Sequence, residues 1–126
     1  AAGTKLREER QSVRVPYQGE VMYKKGEAIF TSGILDFSST GLSIEHNPDL
    51  AVDDVVGVTL ELATRGFLGL KQDTPVSLSA VCQWTSSQEG KTALSFLNMQ
   101  DNQRVVIVNF IFEEIERQAK RVLKRL

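Results

Sequence analysis

Among the 126 residues there is one cysteine, Cys82, and one histidine, His46. A lone cysteine excludes an internal disulfide framework and any cysteine-based zinc site, and it fits a reducing compartment. A lone histidine leaves little material for nucleophilic or zinc-assisted catalysis, both of which usually need histidine beside well-placed partners. No catalytic residue, metal site or cofactor is therefore expected, and the chain is not read as an enzyme. Long apolar runs are missing too. The best candidate, Val105 to Phe112, is interrupted by Asn109 and falls well short of the ~20 residues a membrane helix needs. No signal-peptide pattern opens the chain. What remains is ordinary: 41% hydrophobic and 25% charged residues, the composition of a globular domain rather than a disordered chain. The length suits one domain, free-standing or cut from something larger, and a cytoplasmic location is expected.

Charge is unevenly placed. Residues 1–15 hold four basic and two acidic side chains, residues 16–112 six basic and eleven acidic, and residues 113–126 five basic and three acidic. An acidic body with basic ends is a poor general nucleic-acid binder, which normally shows a basic face on its folded domain. It is compatible with a small anionic ligand gripped by one end.

Most of the chain reads as strands. Val13, Val15, Tyr17, Gly19, Val21 and Tyr23 alternate with largely polar residues, the period of a half-buried strand. Lys24 to Glu27 turns the chain into a second strand over Ala28 to Leu35, Leu42 and Ile44 mark a third, and Val56 to Leu62 a fourth. Val76, Leu78, Ala80, Cys82 and Trp84 line one face of a fifth, and Leu94 and Phe96 mark a sixth after the Glu89-Gly90 turn. Six short strands at close spacing suggest a small antiparallel barrel or sandwich over residues 16–100. Residues 101–126 change period: Val105, Val108, Phe112, Ile115, Ala119, Val122 and Leu126 follow a 3-4 spacing, which predicts a long C-terminal helix. Asp101 or Asn102 is the expected cap. The first half of this helix is apolar nearly all round and is expected to be well covered by the barrel. The narrower stripe beyond is either a continued packing face or a coiled-coil seam between two copies.

Two polar clusters stand out. One is Arg10 and Arg14, four residues apart ahead of the first strand, with Arg7 upstream. The other is Asp36-Phe37-Ser38-Ser39-Thr40-Gly41, a turn between the second and third strands. Each has a bland explanation, since arginines decorate solvated faces and Asp, Ser and Gly build turns. Together they make a specific chemistry. A guanidinium fork matches the O6/N7 edge of guanine and also grips phosphate. A carboxylate accepts from the N1 and N2 hydrogens of guanine's opposite edge, a hydroxyl assists beside it, and a glycine lets a flat base approach.

At these residues the chain resembles the PilZ domain family, receptor modules for the bacterial second messenger cyclic di-GMP, through RxxxR at Arg10–Arg14 and DxSxxG at Asp36–Gly41. The resemblance implies a mainly β fold: a six-stranded antiparallel barrel with a long C-terminal helix, preceded by a flexible arm over residues 1–15. It further implies that Arg10 and Arg14 hold guanine and phosphate groups, that Asp36, Ser38 and Gly41 form the barrel-side floor under a guanine, and that Arg7 adds a phosphate contact. Ligand binding would then move the arm and be felt by an attached or partner protein. Family members act within glycan synthases, beside flagellar machinery and in transcriptional or adaptor proteins; the lead-in and the Asp-Phe-Ser turn look rather like the module of bacterial cellulose synthases, which makes a membrane glycan synthase one of the implied partners.

The remaining residues are read plainly. Cys82 is a small core residue, His46 a turn histidine, and Lys24 and Lys25 hairpin-tip charges. Trp84 is expected in the core, or at an edge where it touches ligand or partner. The alternative to a ligand receptor is a PilZ-like barrel that binds no nucleotide and serves as an interaction module, forming a homodimer through its C-terminal helix. Single-stranded nucleic acid is disfavoured by the acidic barrel and its few exposed aromatics.

Overall fold

The structure, a computed structural model, describes residues 14–65 and 71–125. Six strands, β1 (Val15–Lys25), β2 (Ala28–Phe37), β3 (Gly41–Glu45), β4 (Val55–Arg65), β5 (Lys71–Ser86) and β6 (Lys91–Leu97), precede one helix, α1 (Asp101–Arg125). All pairings are antiparallel, and the barrel closes in the order β1-β2-β3-β6-β5-β4. The six expected strands and the helix are all present. β2 runs further than the hydrophobic pattern suggests, because Asp36 and Phe37 still pair with Pro16 and Val15 on one side and with Ser43 and Leu42 on the other.

Alternation builds the core. Val21, Tyr23, Ile34, Phe37, Leu42, Ile44, Val56, Val58, Leu62, Leu78, Cys82 and Leu94 all point inward and are buried. Burial pushes the Cys82 thiol up, so it behaves as an inert core group. Closure between β1 and β4 is short: only Met22–Thr59, Tyr23–Val58 and Lys24–Gly57 pair. Past this seam α1 covers the core, inserting Ile107, Phe110 and Ile111. The Phe110 ring meets Tyr17 at 5.0 Å and Phe37 at 5.7 Å, both edge-on, a geometry aromatic quadrupoles favour. Gln103 Nε2 donates to the Ser77 carbonyl and Gln118 Nε2 to the Pro16 carbonyl, each at 2.8 Å, tying the helix to β5 and β1.

Three expectations need correction. The helix start is not closed by Asp101 or Asn102 alone: Asn102 Oδ1 accepts from Gln103 N at 2.9 Å, but Gln100 holds the cap position. The Gln100 carbonyl accepts from Arg104 N, and Gln103 Oε1 accepts from Gln100 N at 3.0 Å, which is the return half of a capping box. Second, among the described residues of the heptad stripe only Ile115 packs against the core, half-buried, and the stripe as a whole does not face the barrel. Ile107, Phe110, Ile111 and Glu114 do, while Val105 is 57% and Phe112 62% exposed, so the first half of α1 is covered on one side only. Third, Trp84 is not in the core but 41% exposed. A bulge shifts the register from Cys82↔Leu94 to Trp84↔Ala93, and the extra residue reverses which side chains point inward.

At the opposite end of β1, Lys25 Nζ donates to Asp54 Oδ2 at 2.8 Å and to the Asp49 carbonyl at 2.9 Å, fastening the first hairpin to the β3–β4 connection. The hydrogen bond from Lys25, then that from Ala51 N, holds the Asp54 carboxyl below the ordinary aspartate value. A depressed carboxylate contributes stability above its unfolded pKa of about 4, and that contribution is lost as pH falls through the folded value. In an NMR titration the Asp54 midpoint is expected below those of exposed aspartates, and Lys25→Met is expected to raise it back; an unchanged midpoint in that variant would remove Lys25 as the cause. No helix among the described residues is long and apolar enough to cross a membrane.

Candidate functional site

Arg14 stands immediately before β1, and Asp36 is paired with Pro16 across the β1–β2 hairpin. That register sets the two motifs side by side. Arg14 Nε donates to Asp36 Oδ1 at 2.8 Å, Nη2 reaches the same oxygen, and Nη2 also donates to Ser43 Oγ at 3.1 Å. The other carboxylate oxygen, Asp36 Oδ2, faces Lys91 Nζ at 3.9 Å. An acid thus lies between two cations on the outer barrel wall, the cations well exposed and the carboxylate partly covered. Exposed pairs of this kind contribute only ~0–1 kcal/mol, so they exchange partners at little cost.

Ser38 and Gly41 do a different job. Ser38 is fully buried, and its Oγ accepts from Thr40 N and Gly41 N at 3.2 Å each, while Ser38 N donates to the Gly41 carbonyl at 2.8 Å. The hydroxyl therefore closes the β2–β3 turn from within. At Gly41 a Cβ would collide with the Leu94 carbonyl oxygen and crowd Ser95: only a bare backbone lets β3 lie this close to β6. Gly41→Ala is expected to destabilise the fold by roughly 1–3 kcal/mol, read as a lower urea midpoint at unchanged slope. A midpoint equal to that of the parent would contradict the close approach.

Of the expected site residues, the structure brings Arg14, Asp36, Ser38 and Gly41 to one edge of the barrel. Arg7 and Arg10 lie outside the described residues, as does most of the arm over residues 1–15. Two contributors escaped the sequence reading. In the sequence Ser43 is simply the residue between Leu42 and Ile44; its pairing with Asp36 gives it a role. Lys91 follows the Gly90 turn, and only the pairing of β3 with both β2 and β6 carries it to Asp36. No local pattern signals either. His46 Nδ1 lies 2.9 Å from Thr85 Oγ1 in a structural contact, and among the described residues no group of three or more His, Cys, Asp or Glu side chains could hold a metal ion.

The sequence profile of the PilZ domain matches residues 8–113. No curated protein sequence matches the chain. Among solved structures, the PilZ domain of CeSA from a cellulose-synthesizing bacterium superposes with a TM-score of 0.62 at 18% identity, covering 81% of this chain and 97% of that one. The Bacillus subtilis inhibitor of motility, MotI/DgrA, superposes with a TM-score of 0.64 at 14% identity, covering 88% of this chain and 51% of that one. The K. pneumonia MrkH–c-di-GMP complex gives a TM-score of 0.65 at 12% identity, covering 89% of this chain and 55% of that one. The chain thus spans about half the length of the latter two proteins. At these identities the likeness is one of fold.

Proposed function

The chain belongs to the PilZ domain family, and from that premise we propose that it binds cyclic di-GMP and relays binding as a movement of the segment ahead of β1. One observation carries the reading: Arg14 of the first motif and Asp36 of the second are in direct contact, with the Arg14 guanidinium anchored on one carboxylate oxygen only. The two halves form a single site that is charged, exposed and loosely held. In the bound form the guanine N1 and N2 hydrogens take acceptor positions on Asp36, while Arg10 and Arg14 turn to the base edge and the phosphates, with Arg7 adding a phosphate contact. Ser38 and Gly41 keep the floor flat beneath the base. The fold shared with MrkH, whose structure is a c-di-GMP complex, supports the same ligand here.

Relay follows from where Arg14 sits. It is the residue next to β1, so any turn of its side chain toward ligand pulls the chain that leads into the strand, and a domain or partner there feels the pull. The likeness to the CeSA domain makes a glycan synthase the partner to examine first. Calorimetric titration with cyclic di-GMP, alongside GTP and cyclic di-AMP, tests the reading. Saturable binding of cyclic di-GMP alone is expected; no heat at several temperatures, matched by no binding in an orthogonal assay, overturns it.

A second reading has its own observation. Val105, Phe112 and Val122 leave an apolar stripe on the outer side of α1, which suits a homodimer formed through this helix. A specific dimer that does not bind the nucleotide, seen by sedimentation, would favour that reading.

A further inference from the structure

The first half of β1 lies beyond the barrel seam, because β4 pairs only with Met22, Tyr23 and Lys24. Its register with β2 also shifts between Pro16 and Gly19. At this bulge Tyr17 turns toward α1, its ring edge-on to Phe37 at 6.3 Å and to Phe110 at 5.0 Å. The ring lies back over Gly19, where a Cβ would collide with it, so the bulge and the glycine together admit it. Burial, then the nearby Glu114 charge, pushes the Tyr17 hydroxyl up. On the outer edge of Pro16 the helix stands where a strand would: Gln118 Nε2 donates to the Pro16 carbonyl at 2.8 Å, across 102 residues of sequence.

The Gln118 amide is itself fixed. Its nitrogen also makes a longer bond to Glu114 Oε1, at 3.4 Å, and Glu114 Oε2 accepts from Arg117 Nη1 at 2.7 Å. Glu114 is nearly buried on the barrel side of the helix. A buried carboxylate is tolerated when it is paired and hydrogen-bonded, which Arg117 and Gln118 together achieve. The Pro16 carbonyl and the Glu114 carboxylate are both acceptors, so the amide can present only its NH2 side to them. The other edge of the same stretch carries the site: Pro16 pairs with Asp36, and Arg14 stands two residues ahead of it. Pro16 is thus held between the strand that bears Asp36 and the helix that bears Gln118.

We infer that Gln118 is a positioning residue for the nucleotide site: through the Pro16 carbonyl, its amide holds the entry to β1 where Arg14 meets Asp36. The inference rests on the proposed cyclic di-GMP site and adds to it a residue that touches no ligand. Arg14 bonds to Asp36 and Ser43 on the barrel wall, and exposed pairs of this kind hold a side chain weakly. Its place is therefore set by what grips the strand behind it. Without the Gln118 donor, Pro16 is gripped along the β2 edge only. A guanidinium that drifts with its backbone loses the parallel donor geometry on which charge-assisted recognition of a phosphate or a base edge depends.

Two variants of the full chain separate the donor from the bulk of the side chain. Gln118→Met keeps most of the volume and removes the donor; Gln118→Lys restores a donor of similar reach. Gln118 is half-buried, so neither change opens a cavity in the core. Parent and variants are titrated with cyclic di-GMP by calorimetry, and the Arg14 Nε–Hε resonance is followed by NMR in the absence of ligand. Gln118→Met is expected to bind about three- to tenfold more weakly, the size of one hydrogen bond, and to shift the Arg14 resonance. Gln118→Lys is expected to recover most of the affinity and to return the resonance toward its parent position. Affinity within twofold of the parent in Gln118→Met, an unmoved Arg14 resonance, or a loss that Gln118→Lys does not restore overturns the inference and leaves the site at Arg14 and Asp36 standing. No binding of the parent overturns both.

Discussion

Replacing Arg14 with alanine is expected to weaken cyclic di-GMP binding by about a hundredfold or more while leaving the melting temperature nearly unchanged. The asymmetry follows from where the side chain sits. In the free protein Arg14 and Asp36 form an exposed pair, with side chains 44% and 21% accessible, and such pairs contribute ~0–1 kcal/mol to folding. In the complex the same guanidinium meets phosphate or guanine in a partly dehydrated setting. Truncating one partner of a buried charge-assisted pair costs about 2–5 kcal/mol of affinity, which is roughly 30-fold to several thousandfold. The loss is compounded by Asp36, whose carboxylate would then face an anionic ligand with Lys91, at 3.9 Å, as its nearest remaining cation among the described residues. Arg14→Lys is expected to recover little, since a point charge cannot supply the two parallel donors that Nε and Nη2 present. Calorimetry and a thermal melt on the same preparations check both halves of the prediction. Affinity within threefold of the parent in the alanine variant would remove Arg14 from the site.

The second large effect concerns α1. Phe110→Ala is expected to cost about 3–5 kcal/mol of stability, as aromatic-to-alanine changes in packed cores do, and to lower the melting temperature by roughly 10–20 °C. Phe110 is fully buried and fills the space between Tyr17 and Phe37. Both of those residues adjoin the site, Tyr17 following Pro16 and Phe37 lying between Asp36 and Ser38. The helix therefore supports from below the barrel edge that carries Arg14 and Asp36. Phe112→Ala, two residues along and 62% exposed, is expected to change stability by no more than ~0.5 kcal/mol. Chemical denaturation of the two variants side by side makes the comparison. Equal effects would mean that the helix packs on a different face.

The strands and the helix were legible because their signals are local. Val56, Val58, Leu60 and Leu62 repeat every second residue, and the pattern needs no distant partner to be read. The polar clusters were legible for the same reason, as RxxxR and DxSxxG are short. Their contact was not. Arg14 and Asp36 meet because β1 and β2 pair in the register that sets Pro16 opposite Asp36, and register depends on the whole hairpin and its bulge. Ser43 and Lys91 were invisible as site residues because each reaches Asp36 from another strand.

By itself, then, the sequence determined the antiparallel strand set, the C-terminal helix, the two motif clusters and the family. These rest on periodicity and short motifs, which nearest neighbours along the chain specify. Only the tertiary structure decided which face of α1 is buried, because both the Val105–Phe112 stripe and the Ile107–Ile111 stripe are apolar and the open seam beyond Lys24–Gly57 accepts the second. Only the tertiary structure placed Trp84 outside. A one-residue bulge reverses every following side chain, and a bulge is a property of two strands paired with each other, not of either one alone.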